Sequence, residues 1–301
     1  MIRFEAAGKR YTSLITRRRV MALEDVTLEM RPGEVFGIAG PNGAGKSTLI
    51  SLLMGFLSPT AGRVTIAGMA PRAFIESEGV GYLTELVNVP PQWHVPDALH
   101  RMARLAGVPA GERAAQVKDV IGRLGLGEHV AKRIKQLSKG NLQRVGLAQA
   151  MLGDADIVIL DEPTHGLDPL WTQRFRTIVT ELRRPERIVL IASHNLDELE
   201  SLADRVAILD HGRLQRIVDH ATESTAAAAA WRVTFEGVVD VASVLPAATP
   251  IAGRGGSWRV TATREQISRA LALLLGQGAV LVECVPEQGR LASAFREAVG
   301  E

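Results

Sequence analysis

Apolar and polar positions along this chain change period repeatedly, and each change marks an element. Ile2-Arg3-Phe4-Glu5 and Ala22 to Met30 alternate with period two and read as strands, the second closed by the Arg31-Pro32-Gly33 turn. Val35 to Ala39 is short, largely apolar and glycine-tolerant, and a helical pattern runs from Lys46 through Leu57. Arg63 to Ala67 reads as a further strand ended by Gly68, so the early strands predict a small antiparallel sheet. Pro96 to Gly107 and Pro109 to Leu126 read as helices, and Val117, Val120, Ile121 and Leu124 form an apolar stripe on the second. A third helix is expected from Ser138 to just before Gly153.

Ile157 to Leu160 is a run of four apolar residues leading into Asp161-Glu162-Pro163, the pattern of a buried parallel strand that ends in acids. Asp168 to Arg184 is helical, with Phe175, Ile178, Val179 and Leu182 on one face. Arg187 to Ala192 is expected as strand, Asn195 to Ala203 as helix and Arg205 to Leu209 as strand. Asp210-His211-Gly212 then turns the chain into Arg213 to Val218. Strands alternating with helices predict the α/β class, a parallel sheet covered on both faces.

The run TESTAAAAA, Thr222 to Ala230, breaks the pattern and reads as a short helix or a linker. It predicts a boundary near residue 221, dividing a domain over 1–220 from a small α/β domain over 221–301. In the latter, Trp231 to Phe235, Ser257 to Thr261 and Val280 to Val285 read as strands. Arg264 to Leu275 and Arg290 to Val299 read as helices, the first with Ile267, Ala270, Leu271 and Leu274 on one face. This second piece has no phosphate loop, acid pair or histidine cluster of its own.

Composition narrows the classes. The 301 residues are 46% apolar and 23% charged, ordinary for a globular chain, and the net charge of +2 argues against a surface that coats nucleic acid. Cys284 is the single cysteine, which excludes an internal disulfide and suits a reducing compartment. No run approaches the roughly 18 uninterrupted apolar residues of a membrane span, and MIRFEAAGKRY lacks the apolar centre of a signal peptide. A cytosolic protein is expected, reaching a membrane only through a partner. Arg17-Arg18-Arg19 reads as a solvated loop or a lipid-headgroup contact.

The chemistry is concentrated in GPNGAGKST, Gly40 to Thr48, placed between a strand and a helix as a phosphate loop requires. Glycines 40, 43 and 45 let successive amides turn into one concavity, and the following helix adds the positive end of its dipole. The candidate nucleotide contacts are Asn42, Gly43, Gly45, Lys46, Ser47 and Thr48. Lys46 is suited to the β- and γ-phosphates, and Ser47 to Mg²⁺. Asp161, at a strand end, can hold the same ion, and Glu162 can polarise the attacking water. His194 follows the strand RIVLIAS, which puts its imidazole at the edge where open α/β sheets bind ligands.

GPNGAGKST, LSKGNLQRV (Leu137 to Val145), DIVILDEP (Asp156 to Pro163), GLDP (Gly166 to Pro169) and SHNLDELE (Ser193 to Glu200) occur in that order. Over about residues 1–220 the set resembles the ATP-binding cassette family, specifically the ATPase subunits of ABC transporters. The LSKGN-type signature is its most specific element. The resemblance implies an α/β cassette with an antiparallel β subdomain and a helical subdomain, and ATP and Mg²⁺ as ligands. It also implies two cassettes head to tail, each ATP held between one chain's phosphate loop and Ser138, Lys139 and Gly140 of the other. Ser138 begins a predicted helix, so its hydroxyl and the following amides offer an anion site. Asp168 is expected in the loop that meets the opposite subunit, and His194 as the γ-phosphate sensor.

Two positions depart from the family pattern. Glu85 in VGYLTEL stands where the family usually has glutamine, with metal contact as its implied role. Lys139 and Asn141 stand where the signature commonly has glycine and glutamine, and Lys139 either adds charge toward the opposite phosphate or is simply exposed. Tyr11 is the expected adenine-stacking residue, although TSLITRRRV lengthens the segment after it.

The resemblance places Leu86 to Arg104 beside the groove for a membrane subunit's cytoplasmic helix, with Trp93 either in that contact or locally packed. The ending RLASAFREAV is similar to the extensions of exporter-type subunits, in a dimer contact or a regulatory role. The expected function is therefore ATP hydrolysis driving export through separate integral membrane permease subunits, at the cytoplasmic face of the membrane. The cassette would pair with a second copy of itself or a related cassette, and no nucleic acid is expected. The competing readings are a soluble ABC-type ATPase acting on ribosomes or DNA, and an ATP-sensing module without catalysis. The single cassette without long insertions weighs against the first, and the intact Glu162 against the second.

Overall fold

The computed structural model describes residues 1–12, 19–219, 229–236, 239–245, 247–251, 255–286 and 290–299. Arg17, Arg18 and residues 222–228 of the alanine-rich run therefore lie outside the described residues. The chain divides into two compact units, Met1–Ile217 and Val218–Glu301.

The first unit contains two sheets. Strands β1 (Ile2–Thr12), β2 (Arg19–Met30) and, later in the chain, β4 (Ala61–Ile66) form the antiparallel sheet, in the order β2-β1-β4. Register shifts along β1 accompany positive φ at Ala6 (47°), and Asp25 in β2 has φ 51°. Such bulges bend an edge-rich sheet. The central sheet takes β3 (Val35–Ala39), β5 (Gly81–Leu83), β6 (Ile157–Asp161), β7 (Ile188–Ser193), β8 (Arg205–Asp210) and β9 (Arg213–Asp219), in the order β5-β6-β7-β3-β8-β9. Its pairs from β5 to β8 are parallel. Between β8 and β9 only two residues intervene, which obliges an antiparallel return. Every residue of β3, β6 and β7 is buried, as their unbroken apolar runs require.

Helix α1 (Lys46–Leu53) follows β3 and is shorter than its apolar pattern, because Gly55 takes φ 66° and its neighbourhood closes on Arg72. Helix α2 (Pro71–Glu78), with proline in its first turn, lies in a stretch whose sequence pattern gave no helix. It buries no residue fully, and its Phe74 and Ile75 pack only partly on the core. Helices α3 (Val95–Leu105), α4 (Arg113–Arg123) and α5 (Lys139–Met151) make the helical portion. The expected helix from Pro109 is cut to α4 at both ends. Glu112 N–H closes a turn on the Pro109 carbonyl, and Gly125 takes φ 58°. Helices α6 (Pro169–Leu182) and α7 (Leu196–Leu202) flank β7 in sequence, capped by the Asp168 and Asn195 side chains.

The second unit is a four-stranded antiparallel sheet, with β10 (Ala229–Phe235), β11 (Thr249–Pro250), β12 (Ser257–Ala262) and β13 (Leu281–Pro286) in the order β11-β12-β10-β13. Helix α8 (Arg264–Gly276) opens with a Thr263–Gln266 capping box and lays Ile267 and Leu274 on Trp231, Val233, Phe235 and Val260. Helix α9 (Arg290–Val299) buries Leu291 and Ala294. Among the described residues of both units, no helix is long and apolar enough to cross a membrane.

Candidate nucleotide and metal site

Three adjacent strands bring the chemistry to one level of the central sheet. In the parallel register Ala39 of β3 stands beside Ser193 of β7, and Ala192 beside Asp161 of β6. The chain leaves the sheet at the same height three times, into Gly40, Glu162 and His194. This is the carboxyl edge where open α/β sheets bind ligands.

The phosphate loop is shaped by close approach. A Cβ on Gly40 would lie 2.6 Å from the Leu209 carbonyl, and one on Gly45 would lie 2.8 Å from the Ala22 carbonyl and from Leu23 Cδ2. Gly45 caps α1 at φ 107°, a conformation open to glycine. Lys46 is buried, and its Nζ donates to the Gly40 carbonyl at 2.7 Å and stands 3.8 Å from Glu162 Oε1. The lysine is thus folded back over the loop, and its charge faces the acid at the end of β6.

Glu162 is held in an uncommon backbone state, φ 49°. Its N–H donates to the Ala192 carbonyl at 2.8 Å. Gln143 Nε2 donates to the carbonyls of Glu162 (3.1 Å) and Pro163 (3.3 Å). Strained positions over-determined in this way cluster at functional sites. One carboxylate oxygen of Glu162 points to Lys46, and the other is 2.7 Å from His194 Nδ1. The imidazole itself is largely exposed, so one face of this pair opens outward.

Asp161 is buried, and its pKa is pushed up to about 6, chiefly by loss of solvent and then by the charges of Glu85 and Glu162, with Lys46 opposing. Tyr82 nearby has its hydroxyl raised to about 12, mainly by burial and then by the charges of Asp161 and Glu85. Three carboxylates therefore share one lysine in a partly enclosed place, an arrangement relieved by a bound cation.

A cavity of about 420 Å³ runs along this surface, lined by Asn42, Gly43, Gly45, Lys46, Ser47, Thr48, Glu85, Asp161 and Glu162. Its remaining wall is Val20, Met21, Ala22 and Pro41. The structure thus gathers the phosphate-loop residues and the acids into one site. Tyr11 is outside the lining: it is 41% exposed, is paired across the sheet with Val20, and has Lys9 Nζ 5.8 Å from its ring. The apolar wall comes instead from β2, where Val20 and Met21 are both about half exposed. Sequence reasoning began that strand only at Ala22 and so passed over them; their apolar side chains at an exposed strand end were the available signal.

Ser138, Gly140 and Asp168 also lie outside the lining. Ser138 caps α5 by accepting from Asn141 N–H at 3.3 Å, and Asp168 caps α6 by accepting from Trp171 N–H at 3.0 Å. The two motifs are packed together within the chain. A Cβ on Gly140 would meet the Gly166 carbonyl at 2.8 Å, and Lys139 Nζ lies 2.6 Å from His165 Nε2. Glycine at 140 is thus required by its neighbour. The Arg144 guanidinium, stacked 4.0 Å from the Trp171 ring, ties α5 to α6 a turn further on.

A family model described as "ABC transporter" matches residues 23–165. The chain is 36% identical over 222 residues to the methionine import ATP-binding protein MetN of Xanthomonas campestris, covering 71% of this chain and 65% of that protein. It is 32% identical over 202 residues to the ABC transporter ATP-binding protein NatA of Bacillus subtilis, covering 66% of this chain and 82% of that one. The chain spans about 60% of the length of several curated relatives, from 58% to 65%. Among solved structures it shares the fold of a dimeric ATP-binding cassette in a post-hydrolysis state bound to ADP and Pi. The TM-score is 0.67 at 22% identity, over 73% of this chain and 98% of that one.

Proposed function

Because the chain belongs to the ABC transporter ATP-binding family, we propose that it hydrolyses ATP to drive a transporter whose membrane-spanning part is built from other polypeptides. The observation that carries this reading is the convergence of β3, β6 and β7, which sets Lys46, Asp161 and Glu162 around one cavity, with His194 outside its lining but 2.7 Å from Glu162.

In this reading the amides of residues 42–48 and Lys46 bind the phosphates, and Val20 and Met21 offer an apolar bed for the base. Among the described residues, no group of three His, Cys, Asp or Glu could hold a metal by itself. Magnesium, which usually keeps few protein ligands beside substrate phosphate and water, fits a site of Ser47 and Asp161 with Glu85 nearby. Bound there, the ion would supply charge against the phosphate oxygens. Glu162, fixed between Lys46 and His194, orients the attacking water and accepts its proton. His194, at the open side, contacts the γ-phosphate.

Ser138, Gly140 and Asp168 do not line this chain's own cavity. The reading assigns them to the nucleotide of a second cassette, either a second copy of this chain or a relative. The membrane permease partner, the location at the cytoplasmic membrane face and the direction of transport belong to the same proposal. Export is favoured by the C-terminal extension, while import is what the MetN relative's name states of that protein.

The test is Glu162→Gln in the full chain. ATP binding is expected to remain native, hydrolysis to fall by about a hundredfold or more, and a dimer to persist while ATP is present. Hydrolysis at the native rate would overturn the assignment of Glu162, and a chain that stays single with ATP would overturn the shared site.

A further inference from the structure

Glu198, in α7, is 1% exposed and belongs to no role assigned above. A carboxylate so deeply placed needs partners. It has two, and both converge on one oxygen: Oε2 accepts from the Ser193 hydroxyl at 2.8 Å and from the Thr164 hydroxyl at 3.0 Å. Oε1 has no hydrogen-bond partner among the described residues. Burial raises the pKa of Glu198, the two hydroxyls oppose the rise, and the Glu162 charge adds to it.

The two hydroxyls belong to the two segments that deliver the proposed water-activating pair. Ser193 ends β7 and immediately precedes His194, and its Oγ also accepts from Asn195 N–H at 3.1 Å. Thr164 follows Glu162-Pro163 in the turn that leaves β6, and its carbonyl accepts from Leu167 N–H at 3.0 Å. Asn195 in turn caps α7 by accepting from Glu198 N–H at 3.3 Å. One buried oxygen therefore fastens the stem of His194 to the stem of Glu162. The same two segments are also joined by the 2.7 Å contact between those two side chains, by the Glu162 N–H to Ala192 carbonyl bond and by the β6–β7 pairing that precedes them.

We propose that Glu198 is a positioning residue that clamps the Ser193-His194 strand end to the Glu162–Thr164 turn and so sets the geometry of the Glu162–His194 pair. Its effect is on the pair's orientation, since no atom of Glu198 lines the nucleotide cavity. The loop from Gly40 to Thr48 is reached by neither of its hydrogen bonds. Losing the clamp should therefore spare nucleotide binding and slow the chemical step. Groups that hold a catalytic residue in place typically cost about 10- to 100-fold when removed.

The inference rests on hydrolysis at Glu162, so the experiment separates the two. In the full chain, Glu198→Ala, Glu198→Gln and Thr164→Val are compared with the native protein for KM, kcat, affinity for a fluorescent ATP analogue and the ring ¹⁵N signals of His194. Glu198→Ala is expected to lower kcat at least tenfold with KM and analogue affinity within about twofold, and to move the His194 signals. Glu198→Gln keeps an acceptor oxygen for both hydroxyls and should recover most of the loss. Thr164→Val, which removes one bond and keeps the volume, should lower kcat by a smaller factor.

Native kcat in Glu198→Ala overturns the clamp while leaving the hydrolysis reading intact. An equal loss of kcat and analogue affinity in all three variants also overturns it, because that is the mark of general unfolding. If the native chain binds ATP without hydrolysing it, the hydrolysis reading fails. The His194 signals then decide the clamp alone: unchanged signals in Glu198→Ala refute it.

Discussion

Asp161→Asn replaces a carboxyl that the fold holds at a place unfavourable to its charge. The group titrates near 3.8 when solvated and at about 6 in the folded chain, because burial and the charges of Glu85 and Glu162 outweigh Lys46. Its folded pKa lies above its unfolded one, so the folded chain binds the extra proton between those values. Stability from this group is therefore fully present below about pH 4 and is lost as pH rises through 6. The difference corresponds to roughly 3 kcal/mol, on the order of a quarter of a typical domain's stability.

Asparagine carries no such charge. In EDTA at pH 8 the variant should be more stable than the native chain by up to about 3 kcal/mol, and its thermal midpoint higher by about 6 °C. At pH 4 the two should converge. The assay is thermal unfolding at a series of pH values, read as the difference between the two proteins so that groups of opposite sign, such as the Arg-paired Asp154, cancel. Adding Mg²⁺ and ATP should reverse the order, because only the native carboxylate has a cation to meet. A stability difference that is absent at pH 8, or that does not shrink toward pH 4, refutes the reasoning.

Gly43→Ala and Gly45→Ala test what shapes the phosphate loop. Both glycines have positive φ, yet a Cβ at 43 meets open space whereas one at 45 strikes the Ala22 carbonyl. Position 43 should cost about 1 kcal/mol and position 45 at least twice that, with nucleotide affinity lost only at 45; equal costs would contradict the contact argument. Met21→Ala should raise the KM for ATP by about fivefold at unchanged kcat, as loss of an apolar contact made equally in ground and transition states. Tyr11→Ala should change it less, and the opposite ranking would restore Tyr11 as the base-stacking residue.

Much of the molecule was legible along the chain. The largely apolar runs at Val35–Ala39, Ile157–Leu160 and Ile188–Ala192 could be satisfied only by burial on both faces, which determined a parallel sheet. The motifs at their ends followed as local consequences of strand, turn and helix. The Ser138 and Asp168 caps were equally local. Where the reading stopped short, a non-local contact decided. Helix α2 has no full apolar face and exists with Phe74 and Ile75 leaning on the core, and Pro109–Glu112 form a turn where helix was expected.

What the sequence by itself determined was the residue types and their order: a loop able to wrap phosphate, a pair of acids, a histidine, two helix caps. Only the tertiary structure decided that Ala39 stands beside Ser193 and Asp161 beside Ala192, because strand neighbours are chosen by packing between residues far apart along the chain. Tertiary packing likewise brought Glu85 near enough to raise Asp161, put Val20 and Met21 of the antiparallel sheet on the cavity wall, and set the Glu198 carboxyl between two hydroxyls. Coulomb and hydrogen-bond energies depend on distances of a few ångströms, and separation along the chain does not contain them.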